Sequence, residues 1–331
     1  MIRRMMVPLL ALSLFGACSS GDPDGSAAPP ERRFLSIGTA PVGGAFFVVG
    51  GAIGEVLNQS SSTTNWQVTA EATKGSKENI RRLDSGELDL ALANSAISYF
   101  AARGEGDWEK AYAIRSIMTL APNVALFIAP RGNGVETIID LEGKRVVVGP
   151  AGAGFDDFVR PIVEAHGLRY DDFEQLHATQ SGAVDLLADG AAAAAFLGGA
   201  VPTPAIVQAS SSQAIHFVPF EDATVERLTL DYLFFRRATI PAGTYRGQEQ
   251  DFHGLDVGSM HLIASANADE QLIYELTRSI YESREAVTAK HPAGKAINPK
   301  NVARDTGTEF HPGAIRYYKE IGVWPDDRAA D

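Results

Sequence analysis

The chain has 331 residues, 45% of them hydrophobic and 21% charged, a composition suited to a soluble globular protein with room for two domains and sizeable cores. Its formal net charge of −12 argues against a nucleic-acid partner, because phosphate backbones are held by clustered Lys and Arg. The single cysteine, Cys18, leaves the rest of the chain without a disulfide, a thiol nucleophile or a thiolate metal site.

The N-terminus reads as an export signal. Met1-Ile2-Arg3-Arg4 is a short basic region, and the apolar run from Met5 to Phe15 is too short to span a bilayer as a helix. Its end, Leu14-Phe15-Gly16-Ala17-Cys18, resembles a bacterial lipobox, in which Cys18 becomes the lipidated first residue. Phe15 stands where Leu is usual, so cleavage at Ala17 without a lipid is the alternative. Residues 1–18 are expected to be the signal peptide. Residues 19–33, rich in Ser, Asp, Gly, Ala and Pro, are expected to be a flexible tether. The folded part is expected in the periplasm or on the outer face of a bacterial envelope, held to the membrane through Cys18.

The first α/β unit follows at once. Phe34 to Ile37 reads as a strand that ends in Gly38-Thr39-Ala40-Pro41-Val42-Gly43-Gly44, after which Phe46, Val49, Ile53, Val56 and Leu57 share one helical face. A strand turning through glycines into a helix presents free backbone N–H groups and the positive end of a helix dipole, a place suited to an anion. The same turn can serve packing alone. Its spacing is not the dinucleotide fingerprint, so nothing here points to NAD. Trp66 to Ala72 is a strand, Ser76 precedes a helix that closes near Gly86, and Leu88 to Ala93 is a short buried strand ended by Asn94-Ser95. Val124 to Ala129 is an apolar run before the polar turn Arg131-Gly132-Asn133-Gly134.

A second set of units repeats the device. The strand Arg145 to Val148 ends in Gly149-Pro150-Ala151-Gly152-Ala153-Gly154-Phe155, and a helix runs from Asp156 to about Ala165. Ser181 to Asp189 is a helix, and Ala191 to Leu197 and Ile215 to Pro219 are strands. Residues 228–254 are less regular, with a turn at 239–245; Gly258 to Ala264 is a strand. Asp269 to Ala289 is an amphipathic helix on Leu272, Leu276 and Ile280, and Tyr317 and Tyr318 anchor the helical end.

Alternating β and α elements predict parallel sheets covered on both faces, with ligands at the carboxyl ends of the strands. The two glycine-loop helix starts would face each other if two α/β lobes closed over one ligand. No H-E-x-x-H, G-x-S-x-G or P-loop occurs, the seven histidines lack metal-ligand spacing, and the adjacent pairs Asp156-Asp157, Asp171-Asp172 and Asp326-Asp327 read as surface charge. No catalytic residue, metal or cofactor is expected.

The order and spacing of several short pieces from Ile37 to Gly322 resemble the solute-binding receptors of tripartite (TRAP) transporters, in the TAXI branch. The pieces include Gly38-Thr39 with Gly43-Gly44, Ala72-Thr73 with Gly75-Ser76 and Glu78-Asn79, and Ser85-Gly86-Glu87. Leu141-Glu142-Gly143-Lys144-Arg145-Val146, Gly149-Pro150 with Gly152 and Gly154, Thr239-Ile240-Pro241-Ala242-Gly243-Thr244-Tyr245, His291-Pro292 and His311-Pro312-Gly313-Ala314 complete them. The resemblance implies an α/β, type II periplasmic-binding-protein fold, with two lobes joined by crossing strands and a ligand cleft between them. It places residues 34–128 and 259–331 in lobe 1 and 129–258 in lobe 2. It also implies a monomer that binds a small organic anion by lobe closure and delivers it to the membrane subunits of a TRAP permease.

On that basis the first-lobe ligand contacts are Thr39, Gly43, Gly44, Ala45 and Phe46; Lys74, Gly75 and Ser76 form a second helix start, and Asn94 and Ser95 a third group. Gly152, Ala153, Gly154, Phe155 and Asp156 form the facing loop. The rival readings are a surface lysine at Lys74, a plain turn at Asn94-Ser95, a core cover at Phe155 and a helix cap at Asp156. The chain departs from its relatives where two tyrosines are usual (Phe46-Phe47), where a Ser and a Thr are usual (Ala153 and Phe155), and at Lys74, where glycine is common. Fewer hydroxyls in the cleft point to a carboxylate with a more apolar body than glutamate. A sensory module that presents its loaded form to a membrane kinase is the alternative function, and an enzyme on the same fold is a third that no residue pattern supports.

Overall fold

The computed structural model describes residues 32–41, 45–59 and 65–325; the signal peptide, Cys18, most of the tether, Gly43 and Gly44 lie outside the described residues. The chain opens as β1 (Arg33–Gly38), α1 (Ala45–Gln59), β2 (Trp66–Glu71), α2 (Ser76–Asp84), β3 (Leu90–Asn94), α3 (Ser95–Arg103) and β4 (Ile114–Thr119). It continues through β5 (Val124–Pro130), β6 (Arg145–Val147), α4 (Asp156–Ala165), β7 (Glu174–Leu176), α5 (Gln180–Ala188), β8 (Ala194–Gly199), α6 (Pro204–Ser212), β9 (Ile215–Phe217), α7 (Asp222–Asp231), β10 (Phe235–Ile240) and β11 (Phe252–Val257). It ends with β12 (Met260–Ser265), α8 (Glu270–Glu282), α9 (Arg284–Lys290) and α10 (Pro312–Glu320).

The strands form two sheets, ordered β2-β1-β3-β12-β4 and β10-β11-β5-β8-β6-β7, with β9 beside β5. Neither is wholly parallel, as alternating elements had predicted. β12 runs antiparallel between β3 and β4, and β5 runs antiparallel to β8, β9 and β11. These are the strands beside each crossing, where the chain leaves one sheet and enters the other. β5 is buried from Val124 to Ala129, as a strand between neighbours must be. It pairs wholly within the second sheet, so the chain changes sheet at residues 120–123, ahead of the apolar run rather than at its end.

The return crossing lies at residues 258–259, and the two crossings bond to each other. Leu120 N–H donates to the Met260 carbonyl at 2.8 Å, Met260 N–H to Ala121 at 2.9 Å, and Val257 N–H to Asn123 at 2.9 Å. Buried Asp256 accepts from Asn123 N–H and from the Ser259 hydroxyl, whose oxygen in turn accepts from the Arg304 guanidinium. Burial pushes the Asp256 carboxyl above its ordinary range and the Arg304 guanidinium down to about 10.

Other departures have local causes. The long C-terminal helix is two, because the ladder breaks at Ser283 although the apolar periodicity continues through Val287. The irregular stretch 228–254 contains β10 and the first half of β11, an antiparallel pair in which exposed Arg236, Arg237 and Thr239 dilute the hydrophobic signal. One apolar core lies between the first sheet and α1, α8 and α10, with Tyr317 and Tyr318 fully packed. The other fills the second sheet and is continuous with Ile80, Ala96 and Ile97 of the first-sheet helices.

Candidate functional site

Three helix starts meet where the two lobes touch. The α2 start is set by Gly75, whose φ of +118° favours glycine, and it is Gly75, not Ser76, that occupies the N-cap. Ser76 is free of capping, and its hydroxyl instead accepts from the Asn94 N–H at 3.0 Å, which ties α2 to the start of α3. Asn94 caps α3, its Oδ1 accepting from Ala96 N–H at 2.8 Å, while its amide donates to the Gly258 carbonyl at 2.8 Å. Ser95 N–H donates to the Ser259 carbonyl at 3.0 Å, and the Ser95 hydroxyl is buried without a hydrogen-bond partner. Asn94-Ser95 is thus a helix start rather than a plain turn.

The second glycine loop meets this junction from the other lobe. Gly154 has φ +92°, and a Cβ there would stand 2.8 Å from Ile97 Cδ1 and 3.0 Å from Lys77 Cγ, so glycine suits both the backbone and the close approach, and a side chain would displace these neighbours. Gly152, φ +74°, is exposed with open space around it, and Ala153 is buried. Phe155 covers Gly149, where a Cβ would stand 2.5 Å from its ring, and packs on Phe158 at 5.0 Å. Asp156 accepts a hydrogen bond from the Tyr170 hydroxyl. Arg160 stacks over the Tyr170 ring at 4.4 Å.

Thr39 is fully buried. Its hydroxyl donates to the Glu71 carbonyl at 2.7 Å, and its own carbonyl accepts from Asn79 at 2.7 Å and from Thr73 at 3.1 Å. Ala45 and Phe46 are half-buried at the start of α1. Lys74 is exposed. The structure therefore brings Gly75, Ser76, Asn94, Ser95 and Gly154 to one junction and leaves the Lys74 side chain at the surface.

Sequence reading missed the charged pair at the junction. Lys77 of α2 and Asp157 of α4 lie 3.4 Å apart across the two lobes, their side chains 11% and 4% exposed. Trp108 Nε1–H donates to the same carboxylate at 3.3 Å. Asp157 is no surface charge: burial pushes its carboxyl up to about 6 against the pull of Lys77 and Trp108. A second contact between the lobes is aromatic, with Tyr99 and Phe100 of α3 within 5.2–6.1 Å of Tyr232 and Phe234. Among the described residues no group of three or more His, Cys, Asp or Glu could hold a metal ion, and no helix is long and apolar enough to cross a membrane.

The model of the NMT1-like family matches residues 37–322. PhnD1 from Prochlorococcus marinus in complex with methylphosphonate aligns at a TM-score of 0.54 and 12% identity, covering 88% of this chain and 96% of that one. XAC2383 from Xanthomonas citri bound to ATP aligns at 0.53 and 8%, again covering 88% and 96%. The periplasmic aliphatic sulphonate binding protein SsuA from Escherichia coli aligns at 0.47 and 13%, covering 89% and 84%. At these identities the likeness is one of fold, the two-lobed α/β architecture of periplasmic binding proteins with mixed sheets.

Proposed function

The chain belongs to the NMT1-like family, and from that premise we propose that it is a non-enzymatic solute receptor outside the cytoplasmic membrane. It captures a small organic anion between its lobes and hands it to a membrane transporter. The observation that carries this reading is the fit of Gly154 against Ile97 and Lys77. A loop of one lobe reaches the helix starts of the other through a glycine, beside two short crossings that can act as a hinge. A ligand that touches both lobes favours the closed arrangement by its differential affinity for it.

The finer reading is a carboxylate with an apolar body, delivered to a TRAP-type permease. It is supported by the order of short motifs along the chain, by Phe46 and Ala153 where hydroxyls are usual, and by the buried cation Lys77. A monomer tethered through lipidated Cys18 completes it, by the resemblance of residues 14–18 to a lipobox. The lobes then comprise the residues of the two sheets, with lobe 2 beginning near residue 124.

A thermal-shift screen of organic acids on the purified protein tests the reading. At a hundred times its dissociation constant, a ligand that binds only the native state adds about 2.7 kcal/mol of stability. Phenylacetate, benzoate or branched-chain acids are expected to raise the melting temperature. An unchanged melting temperature with every organic anion sinks the receptor reading, and tight glutamate binding without hydrophobic acids sinks the apolar body.

A further inference from the structure

The two lysines near the start of α2 differ in burial. Lys74 is exposed, whereas Lys77 is buried with its stem against Gly154 of the opposite lobe. We propose that Lys77 receives the anionic group of the ligand and that Asp157 occupies it from the other lobe until such a ligand displaces it. The proposal rests on the receptor reading above.

Three observations carry it. First, the pair bridges the lobes, so any parting of the lobes that admitted a ligand would also separate it. Second, the pair is loose. At 3.4 Å it is longer than the roughly 2.7–2.9 Å of a tight charge-assisted bond, and an ammonium has three donors to satisfy. Besides Asp157, the Lys77 ammonium has the Trp108 ring 5.6 Å away. Third, Asp157 is poorly compensated where it stands. Its carboxyl is buried, it has Asp156 beside it on α4, and its partners are one lysine and the Trp108 indole. Arg81, also of α2, lies over Trp108 but is committed to Glu109 at 2.9 Å. Asp107 adds a further negative charge near Tyr170, the partner of Asp156. A buried pair whose desolvation exceeds its attraction is one that an incoming anion can replace, because the released carboxylate returns to water. Gly106 leaves room on that side, since a Cβ there would stand 4.0 Å from Asp157 Oδ1.

The test is the sign of one effect. Phenylacetate and benzoate affinities are measured by calorimetry at pH 7.5 on the wild type and on Asp157→Asn, Lys77→Gln and Lys77→Arg, each checked for native folding by its circular dichroism melt. Removing the competing carboxylate in Asp157→Asn is expected to tighten acid binding about tenfold, converting to about 1.4 kcal/mol. Lys77→Gln is expected to weaken it at least tenfold, and Lys77→Arg to recover most of the loss. If Asp157→Asn weakens binding as Lys77→Gln does, the pair is a brace and the proposal is overturned. Unchanged affinity in both Lys77 variants overturns it as well, while leaving the receptor reading intact. If the wild type binds neither acid and no other organic anion shifts its melting temperature, the receptor reading falls, and this proposal with it.

Discussion

The side chain of Asn94 joins two structures at once: it caps α3 through Ala96 N–H and holds the Gly258 carbonyl at 2.8 Å. Gly258 has φ +108° and lies so close that a Cβ would stand 2.4 Å from Asn94 Oδ1. The start of a first-lobe helix is therefore bonded to the very residue at which the chain returns from the second sheet. Asn94→Ala removes both bonds and leaves a buried N–H and a buried carbonyl unpaired, so a loss of about 2–3 kcal/mol is expected in urea denaturation. Asn94→Ser, a good cap too short to reach Gly258, should recover about 1 kcal/mol of it. Equal midpoints for the Ser and Ala variants would show that the cap contributes nothing.

Gly154 fits closely against the opposite lobe. Gly154→Ala pays for the left-handed backbone, about 1–2 kcal/mol, and drives a methyl to 2.8 Å from Ile97 Cδ1. Gly152→Ala incurs a similar backbone cost at φ +74° but meets open space. Both variants should melt lower than the wild type, yet only Gly154→Ala should enlarge the radius of gyration in small-angle scattering, because only there must the lobes part. A scattering profile of Gly154→Ala that overlays the Gly152→Ala profile would contradict this account.

The same two loops show what a sequence can and cannot reveal. β1 with α1, and β6 with α4, were legible because a short apolar run, a glycine turn and a 3.6-residue period occur together. α3 was not, because Ser95–Arg103 mixes small, aromatic and polar residues on every face and is held by Asn94 rather than by an amphipathic stripe. That Lys77 is buried while Lys74 is exposed follows from the helix phase, which the sequence alone leaves open. Ser76 looks like the cap, but its hydroxyl is engaged by Asn94 N–H and Gly75 takes the cap position, which places Lys77 inside the first turn. Asp157 was illegible for a different reason: its partners Lys77 and Trp108 lie on the other lobe, about 80 and 50 residues away, and local pattern carries no such information.

The interlobe aromatic contact yields a further expectation. Tyr99 and Phe100 pack edge-on to Phe234 at 5.2 and 5.8 Å, and the Arg103 guanidinium lies 3.6 Å from the Tyr99 ring centroid while donating to the Gly307 carbonyl at 2.9 Å. Phe234 is fully buried. Phe234→Ala empties that space and should cost about 3–5 kcal/mol. Tyr99→Leu, which keeps apolar volume but loses the aromatic geometry, should cost less, about 1 kcal/mol. Guanidinium denaturation midpoints check the order of the two variants.

Two buried groups make stability respond to pH in opposite senses. His261 is fully buried, its Nε2 2.7 Å from the Ser98 hydroxyl, and burial, with a smaller push from Arg304, takes its pKa down to about 3. Unfolded histidine titrates near 6.5, so between about 6.5 and 3 the unfolded chain holds a proton that the native chain does not. This group's contribution is therefore full above 6.5 and is lost as pH falls. Asp157 behaves in reverse. Its native pKa of about 6 exceeds the ordinary value of about 3.9, so the native state holds the extra proton, and its contribution is full below 3.9 and lost as pH rises through 6. His261→Gln should flatten the fall in stability on going from pH 6.5 to 4, and Asp157→Asn should steepen it. The change in slope is at most about 1.4 kcal/mol per pH unit for one proton. Melting temperatures of the three proteins across that range check the signs, and parallel profiles would remove both residues from the account of acid stability.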